Sequence, residues 1–238
     1  MTGEPGRGVL ELLQREAGLV LPEERATALQ AAIRRTGAVD AAGLLAAVAA
    51  PGGRVVLDRL LDEVTVQETS FLRDEGQLAE IDWAGLHAAA VAGGAATVRV
   101  WSAGCATGEE AYSLALLACE AFGTPEPPVE ILGTDLSAAA LARAEAGSYR
   151  ARRARNVPAA LLDRYLERDD VAGTVWVGPS LRRLVRFARH NLVHDPMPPA
   201  GEAPFDLVVC RNVLIYFDHA SANAVAARLA GALRPGGR

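Results

Sequence analysis

Thr97-Val98-Arg99-Val100-Trp101-Ser102-Ala103-Gly104-Cys105-Ala106-Thr107-Gly108-Glu109-Glu110-Ala111 reads as a short strand, a turn of small residues and the start of a helix. Val98 and Val100 alternate as on a pleated strand. Gly104 and Gly108 stand among Ser, Ala, Cys and Thr. Glycine lacks a Cβ and tolerates positive φ, so a ligand can lie close to such a backbone. Two glutamates open the helix, and Ala111, Leu114, Ala115, Leu117 and Ala118 continue it. The first turn of a helix offers unpaired N–H groups. Alone, the unit either cradles a ligand or simply turns the chain.

Downstream, strands and helices alternate. Val129 to Gly133 is a strand after a Pro-rich turn, and Ser137 to Ala146 is a helix. Leu184, Val185 and Phe187 mark another strand, Phe205 to Cys210 a buried one, and Ala220 to Leu233 a helix. This rhythm predicts an α/β fold with a parallel sheet covered on both faces, whose ligands sit beyond the carboxyl ends of the strands. Residues 147–183 break the rhythm with a basic cluster (Arg150, Arg152, Arg153, Arg155), a helix over Leu161 to Leu166 and a short strand over Thr174 to Val177. They read as an insertion on the rim of the sheet.

Upstream, residues 8–50 are helical by periodicity: Val9, Leu10, Leu12 and Leu13, then Ala26, Leu29 and Ile33. Pro22 suits the first turn of the second helix, with Glu23 and Glu24 favouring its positive end. Asp40 reads as the N-cap of a third helix, ended by Pro51-Gly52-Gly53. Val55, Leu57, Leu60, Leu61 and Val64 suggest a fourth. The predicted division is an all-helical domain over 1–62, a linker and cofactor-contacting segment over 63–96, and a cofactor-binding domain over 97–238.

Composition narrows the function. Of 238 residues, 50% are hydrophobic and 22% charged, so the chain is globular. A net charge of −5 argues against nucleic acid as a partner. All 24 basic residues are arginine. Cys105, Cys119 and Cys210 share no metal-ligand spacing and suit a reducing cytoplasm. No metal site is expected. No apolar run reaches about 18 residues and no signal-peptide pattern opens the chain, so no membrane insertion is expected.

Asp135 ends the second strand, where a carboxylate accepts hydrogen bonds from both hydroxyls of a ribose. The first turn lacks G-x-G-x-x-G, and Glu109 and Glu110 would repel a pyrophosphate. They suit a ligand that carries positive charge. S-adenosylmethionine fits, with a sulfonium, an amino group and a ribose but no phosphate. With Asp135 added, a nucleoside-type cofactor is a better reading than a purely structural turn.

Further motifs add a resemblance. T-x-F-x-R-D stands at 69–74, W-S-A-G-C-A-T-G-E-E-A-Y-S at 101–113, T-D-L at 134–136 and A-x-x-G-x-Y at 144–149. F-x-x-H-N-L follows at 187–192 and C-R-N-V-L-I-Y-F at 210–217. In these motifs and their order the chain resembles the CheR family of chemotaxis receptor methyltransferases, which methylate receptor glutamates with S-adenosylmethionine. The resemblance implies a class I (Rossmann-like) methyltransferase sheet, a small helical N-terminal domain and a small inserted β-subdomain. It implies that Gln67, Thr69 and Arg73 meet the cofactor's methionine end, with Arg73 at the carboxylate and also counted with the catalytic machinery. Glu109 would meet the amino group and Asp135 the ribose, while Asn191 and Leu192 would flank the adenine. Gly104, Arg211, Asn212 and Val213 would line the cofactor, and Tyr216 would face the substrate as a catalytic residue. The partner implied is the cytoplasmic helical bundle of a methyl-accepting receptor, with the protein acting as a monomer.

Plainer roles compete at several positions. Phe71 and Leu72 read as packing, Arg73 as a possible surface pair with Asp74 or Glu75, and Glu110 as a solvated or capping side chain. Cys105 and Cys210 read as packing thiols, His190 and His194 as structural or surface residues. Two departures from the family stand out. The helical domain is charge-balanced, with seven acidic and seven arginine side chains over residues 1–60. The family's final strands are also missing after Pro235-Gly236-Gly237, which predicts an unpaired sheet edge and lower stability. The competing functions are methyl transfer to another substrate and a non-catalytic cofactor-binding signalling module.

Overall fold

The computed structural model describes residues 4–22 and 25–238, so the expectation for Glu23 and Glu24 lies outside the described residues. The helices α1 (Glu4–Ala17), α2 (Ala26–Arg35), α3 (Ala41–Ala49) and α4 (Arg54–Val64) come first. Leu12, Leu13, Leu29, Ile33, Leu44, Leu60 and Leu61 form their shared core, distinct from those on the sheet. Asp40 caps α3, its carboxylate accepting from the Gly43 N–H at 2.8 Å. Helix α2 starts at Ala26 rather than Pro22. The residues just before it are drawn into main-chain pairing elsewhere: Leu19 bridges Phe217, and Val20 N–H donates to Tyr216 O at 2.9 Å.

The segment expected as a linker holds α5 (Glu75–Ala79) and α6 (Trp83–Ala92). Trp83, Leu86 and Ala90 of α6 are buried in the main core. Next come β1 (Val98–Ala103), α7 (Glu109–Phe122), β2 (Val129–Asp135) and α8 (Ala138–Ala146), capped by Ser137. The insertion contains β3 (Ser148–Arg150), α9 (Ala159–Tyr165), β4 (Leu166–Asp169) and β5 (Thr174–Val177). Its strands form a separate antiparallel sheet in the order β3-β5-β4. Leu166, expected to end a helix, starts β4. The chain then runs through α10 (Pro179–Leu184), β6 (Val185–Arg189), β7 (Leu207–Val209) and α11 (His219–Gly231).

The main sheet is parallel in the order β6-β2-β1-β7. The chain winds outward from β1 through β2 to β6 and returns on the other side of β1 as β7. That reversal places a crevice over the carboxyl end of β1. Strand alternation separates two apolar faces. Val98, Val100, Val129 and Ile131 face the core shared with α6, α7 and the insertion, whereas Trp101, Ala103 and Leu132 face α11. This is the Rossmann-like methyltransferase fold expected. The edge beyond β7 is not bare: Val208 N–H donates to Arg238 O and Arg238 N–H to Asp206 O, each at 2.9 Å.

Candidate functional site

A deep cleft opens over the carboxyl ends of β1, β2 and β7 and is closed on the far side by Ala17, Leu19, Leu21 and Arg25 and by residues 64–70. Its floor is the glycine turn. Gly104 has φ +81°, and a Cβ there would stand 2.5 Å from Val213 Cγ2. Gly108 has φ +92°, and a Cβ there would meet Ala144 Cβ at 2.6 Å. Both positions therefore need glycine, one for backbone conformation beside the cleft and one for packing of α7 on α8.

Asp135 stands at the end of β2 and lines the cleft. Its carboxylate oxygens accept from Ala106 N–H at 2.8 Å and Ser137 N–H at 2.9 Å. Burial raises its pKa above the ordinary value, against those backbone donors. The two N–H groups fix the carboxylate's orientation while each oxygen keeps a free lone pair.

The two glutamates of α7 diverge. Glu109 does not line the cleft: it is fully buried, its Oε2 accepts from the Thr107 hydroxyl at 2.6 Å, and its Oε1 lies 3.8 Å from Arg153 Nε. Glu110 does line the cleft, accepting from Ser102 Oγ at 2.8 Å and lying 3.4 Å from Arg211 Nη1. Of the two, Glu109, expected to meet the ligand, does not reach the cleft, and Glu110, expected to be solvated or capping, lines it. Successive residues of a helix point about 100° apart, and the phase of α7 on the sheet selects the second. Burial pushes the Glu110 carboxyl up to about 7, against the Ser102 hydrogen bond and the nearby Arg211 and Arg73.

Arg211 braces this wall, donating to Arg73 O at 2.6 Å and Asp74 Oδ2 at 3.1 Å. Arg73 donates to Glu68 O at 2.7 Å, and its Nε stands 3.9 Å from Asp74, so its guanidinium has capacity toward the cleft it lines. Gln67 and Thr69 line the cleft on the same side, and Gln67 Oε1 is buried without a hydrogen-bond partner. Asn212 (φ +57°) and Val213 line it from the end of β7, and Tyr216 lines it from the 3₁₀ turn Leu214–Tyr216.

Asn191 and Leu192 also line the cleft. The Asn191 side chain is already committed: Nδ2 donates to Glu16 O at 2.7 Å and Oδ1 accepts from Val193 N–H at 2.9 Å. It ties the loop after β6 to the end of α1, and its main chain is engaged as well, N–H donating to Asp195 Oδ2 at 2.7 Å and the carbonyl accepting from Asp195 N–H at 2.9 Å, so Asn191 offers the cleft a packing surface. His190 is buried edge-on against Trp101, centroids 5.3 Å apart, and lines the cleft with an unpartnered Nδ1. His194 bonds Arg15 O at 2.7 Å. Phe71 and Leu72 are buried in the core. Cys105 is buried and Cys210 half-buried, with burial pushing the Cys210 thiol up to about 12, so neither is an activated nucleophile. Among the described residues no cluster has metal-ligand geometry. No described helix is long and apolar enough to cross a membrane.

Residues 67–238 match the family described as CheR methyltransferase, SAM binding domain. An uncharacterized 104.1 kDa protein of Rhodobacter capsulatus is 37% identical over 190 residues, which is 77% of this chain and 19% of that protein. Chemotaxis protein methyltransferase 2 of Pseudomonas aeruginosa is 39% identical over 142 residues, 59% of this chain and 50% of that protein. The chemotaxis protein methyltransferase of Listeria monocytogenes is 34% identical over 187 residues, 77% of this chain and 66% of that one. The chain thus spans from 19% to 66% of the length of these relatives.

Proposed function

The chain belongs to the CheR methyltransferase family, and from that premise we propose that it transfers methyl groups from S-adenosylmethionine to glutamate side chains of chemotaxis receptors. The observation that carries the proposal is the charge pattern of the cleft. Glu110 and Asp135 bring carboxylates to the lining, and Arg73 brings a guanidinium to the same cleft. That pattern complements an amino acid joined to a nucleoside. The unpartnered Gln67 Oε1 fits a further donor on the ligand, and Gly104 leaves room where a side chain would intrude.

In this reading Glu110 and Gln67 accept from the ammonium, Arg73 forks onto the carboxylate, and Asp135 takes the ribose hydroxyls. Leu192 flanks the adenine with Asn191, while Arg211 keeps Glu110 and residue 73 in place. When bound, the cofactor supplies a methyl group on positively charged sulfur, which leaves as neutral S-adenosylhomocysteine. The receptor glutamate is ionised at neutral pH, so the protein need not supply a general base. Tyr216 orients the incoming carboxylate at the mouth, and the strap formed by residues 17–21 excludes water. The N-terminal domain, 1–62, serves as a cap that helps grip the receptor, residues 63–96 contact the cofactor, and residues 97–238 carry the methyltransferase domain with its insertion at 147–183. The protein acts in the cytoplasm as a monomer on the receptor's helical bundle.

Two measurements test this together: calorimetry with S-adenosylhomocysteine, and transfer of labelled methyl to a receptor cytoplasmic fragment. Base-labile methyl ester on receptor glutamates is expected. Binding with alkali-stable product would point to another substrate, and binding without transfer to a non-catalytic module.

A further inference from the structure

Residues Thr65–Ser70 form one wall of the cleft yet have no regular secondary structure, so their carbonyls find no ladder partners. Most of the supports nearby fix the residues after them. Leu72 N–H donates to Ser113 Oγ at 2.9 Å, and the Phe71 ring meets Tyr149 edge-on at 5.1 Å. Arg153, in the 3₁₀ turn Ala151–Ala154 of the insertion, does more. Its carbonyl accepts from Phe71 N–H at 3.0 Å. Its guanidinium donates to Thr69 O and, at 3.4 Å, to Gln67 O. Among the described residues no other hydrogen bond from beyond the segment reaches the main chain of Gln67 or Thr69, the two whose side chains the cleft reading needs.

Arg153 is itself held from below. Glu109 Oε1 lies 3.8 Å from Arg153 Nε, is buried and has no other partner. Its side chain is 1% exposed, against 30% for Arg153. The arginine therefore neutralises a buried carboxylate with one edge of its fork and grips two carbonyls with the other. We propose that Arg153 is a positioning residue: with Glu109 beneath it, it clips the 67–69 segment into the shape that binds cofactor, and so couples the insertion to the cofactor site. The inference rests on the reading that this cleft takes S-adenosylmethionine.

The test titrates S-adenosylhomocysteine into the full chain and follows amide hydrogen exchange without ligand. Arg153→Met keeps the apolar stem and removes the fork. It is expected to weaken binding roughly tenfold, the scale of losing a charge-assisted hydrogen bond. Arg153→Lys, with a point charge for a fork, recovers part of the loss and serves where Arg153→Met does not fold. Adding Glu109→Gln to Arg153→Met is expected to cost no further affinity, because the two act as one unit. Exchange should quicken at amides 66–70 while β1 and β2 keep their protection, which a general loss of stability would not produce. Unchanged affinity in folded Arg153→Met overturns the inference, as does exchange that quickens equally everywhere. A wild-type chain that fails to bind S-adenosylhomocysteine overturns the cofactor reading beneath it, a result distinct from either.

Discussion

The two sides of the first turn of α7 carry the same residue type in different surroundings. On the cleft side, Glu110 has a hydroxyl on one oxygen and a guanidinium 3.4 Å from the other. On the interior side, Glu109 is enclosed and meets an arginine that belongs to another element. In the proposed reading the carboxylate facing the cleft contacts the ligand, whereas the one facing the interior organises the wall the ligand touches. The difference separates direct binding from positioning, and each side can be perturbed without the other.

The largest effect is expected at Glu110. Glu110→Ala removes a charged acceptor from the cleft and should weaken S-adenosylhomocysteine binding about thirtyfold, or about 2 kcal/mol. Glu109→Gln keeps the shape and should cost markedly less. Calorimetry on both variants decides it: the reverse ranking would exchange the roles of the two sides.

A smaller effect separates them by pH. The Glu110 carboxyl, pushed up to about 7 by burial, binds more protons folded than unfolded over the range from 4.5 to about 7. Its contribution to unliganded stability is therefore full below about 4.5 and is lost as pH rises through about 7. Cofactor affinity runs the other way, because the ammonium needs the ionised form. Between pH 7 and 6 the ionised fraction falls about fivefold, and affinity should fall with it. Glu110→Gln should flatten that affinity profile, and a wild-type profile flat across this range would remove Glu110 from the ammonium contact.

What the sequence made legible follows from this same turn. Alternation at Val98 and Val100, glycines at 104 and 108 and the cap Asp40 are local signals, and each produced its element. The facing of Glu109 and Glu110 was not legible, because α7 is buried on nearly every side: Ala111, Tyr112, Ser113, Leu114, Ala115 and Leu116 in succession. Such a helix has no apolar stripe to fix its rotation. Helix α6 shows no clear stripe for a related reason, half of it being alanine, and β3 and β4 are three and four residues long, too short to show a period. The Arg153 clip joins residues 84 apart in sequence, a juxtaposition that only the fold creates.

Tyr216 lies on the cleft side but outside the hydrogen-bond set of Glu110, so it probes substrate handling alone. Tyr216→Phe should lower kcat about fivefold, the scale of one hydrogen bond, with cofactor affinity unchanged. Full kcat in that variant would remove the hydroxyl from carboxylate orientation and leave the ring as a wall.

The smallest effect is a control on the whole comparison. The N-terminal helical region contributes Ala17, Leu19, Leu21 and Arg25 to the cleft, so weakening that region would mimic a lost ligand contact. Asp40 does not line the cleft and caps α3 through Gly43 N–H alone among its described side-chain bonds. Asp40→Ala should cost about 1 kcal/mol and lower Tm by about 2–4 °C. S-adenosylhomocysteine affinity should stay within twofold of wild type, because the pairing of Val20 with Tyr216 and the bond from Asn191 to Glu16 do not pass through that cap. A larger loss of affinity would mean that cleft geometry follows the stability of the helical core. The losses at Glu110 and Arg153 would then have to be corrected for stability before either side of α7 could be credited with them.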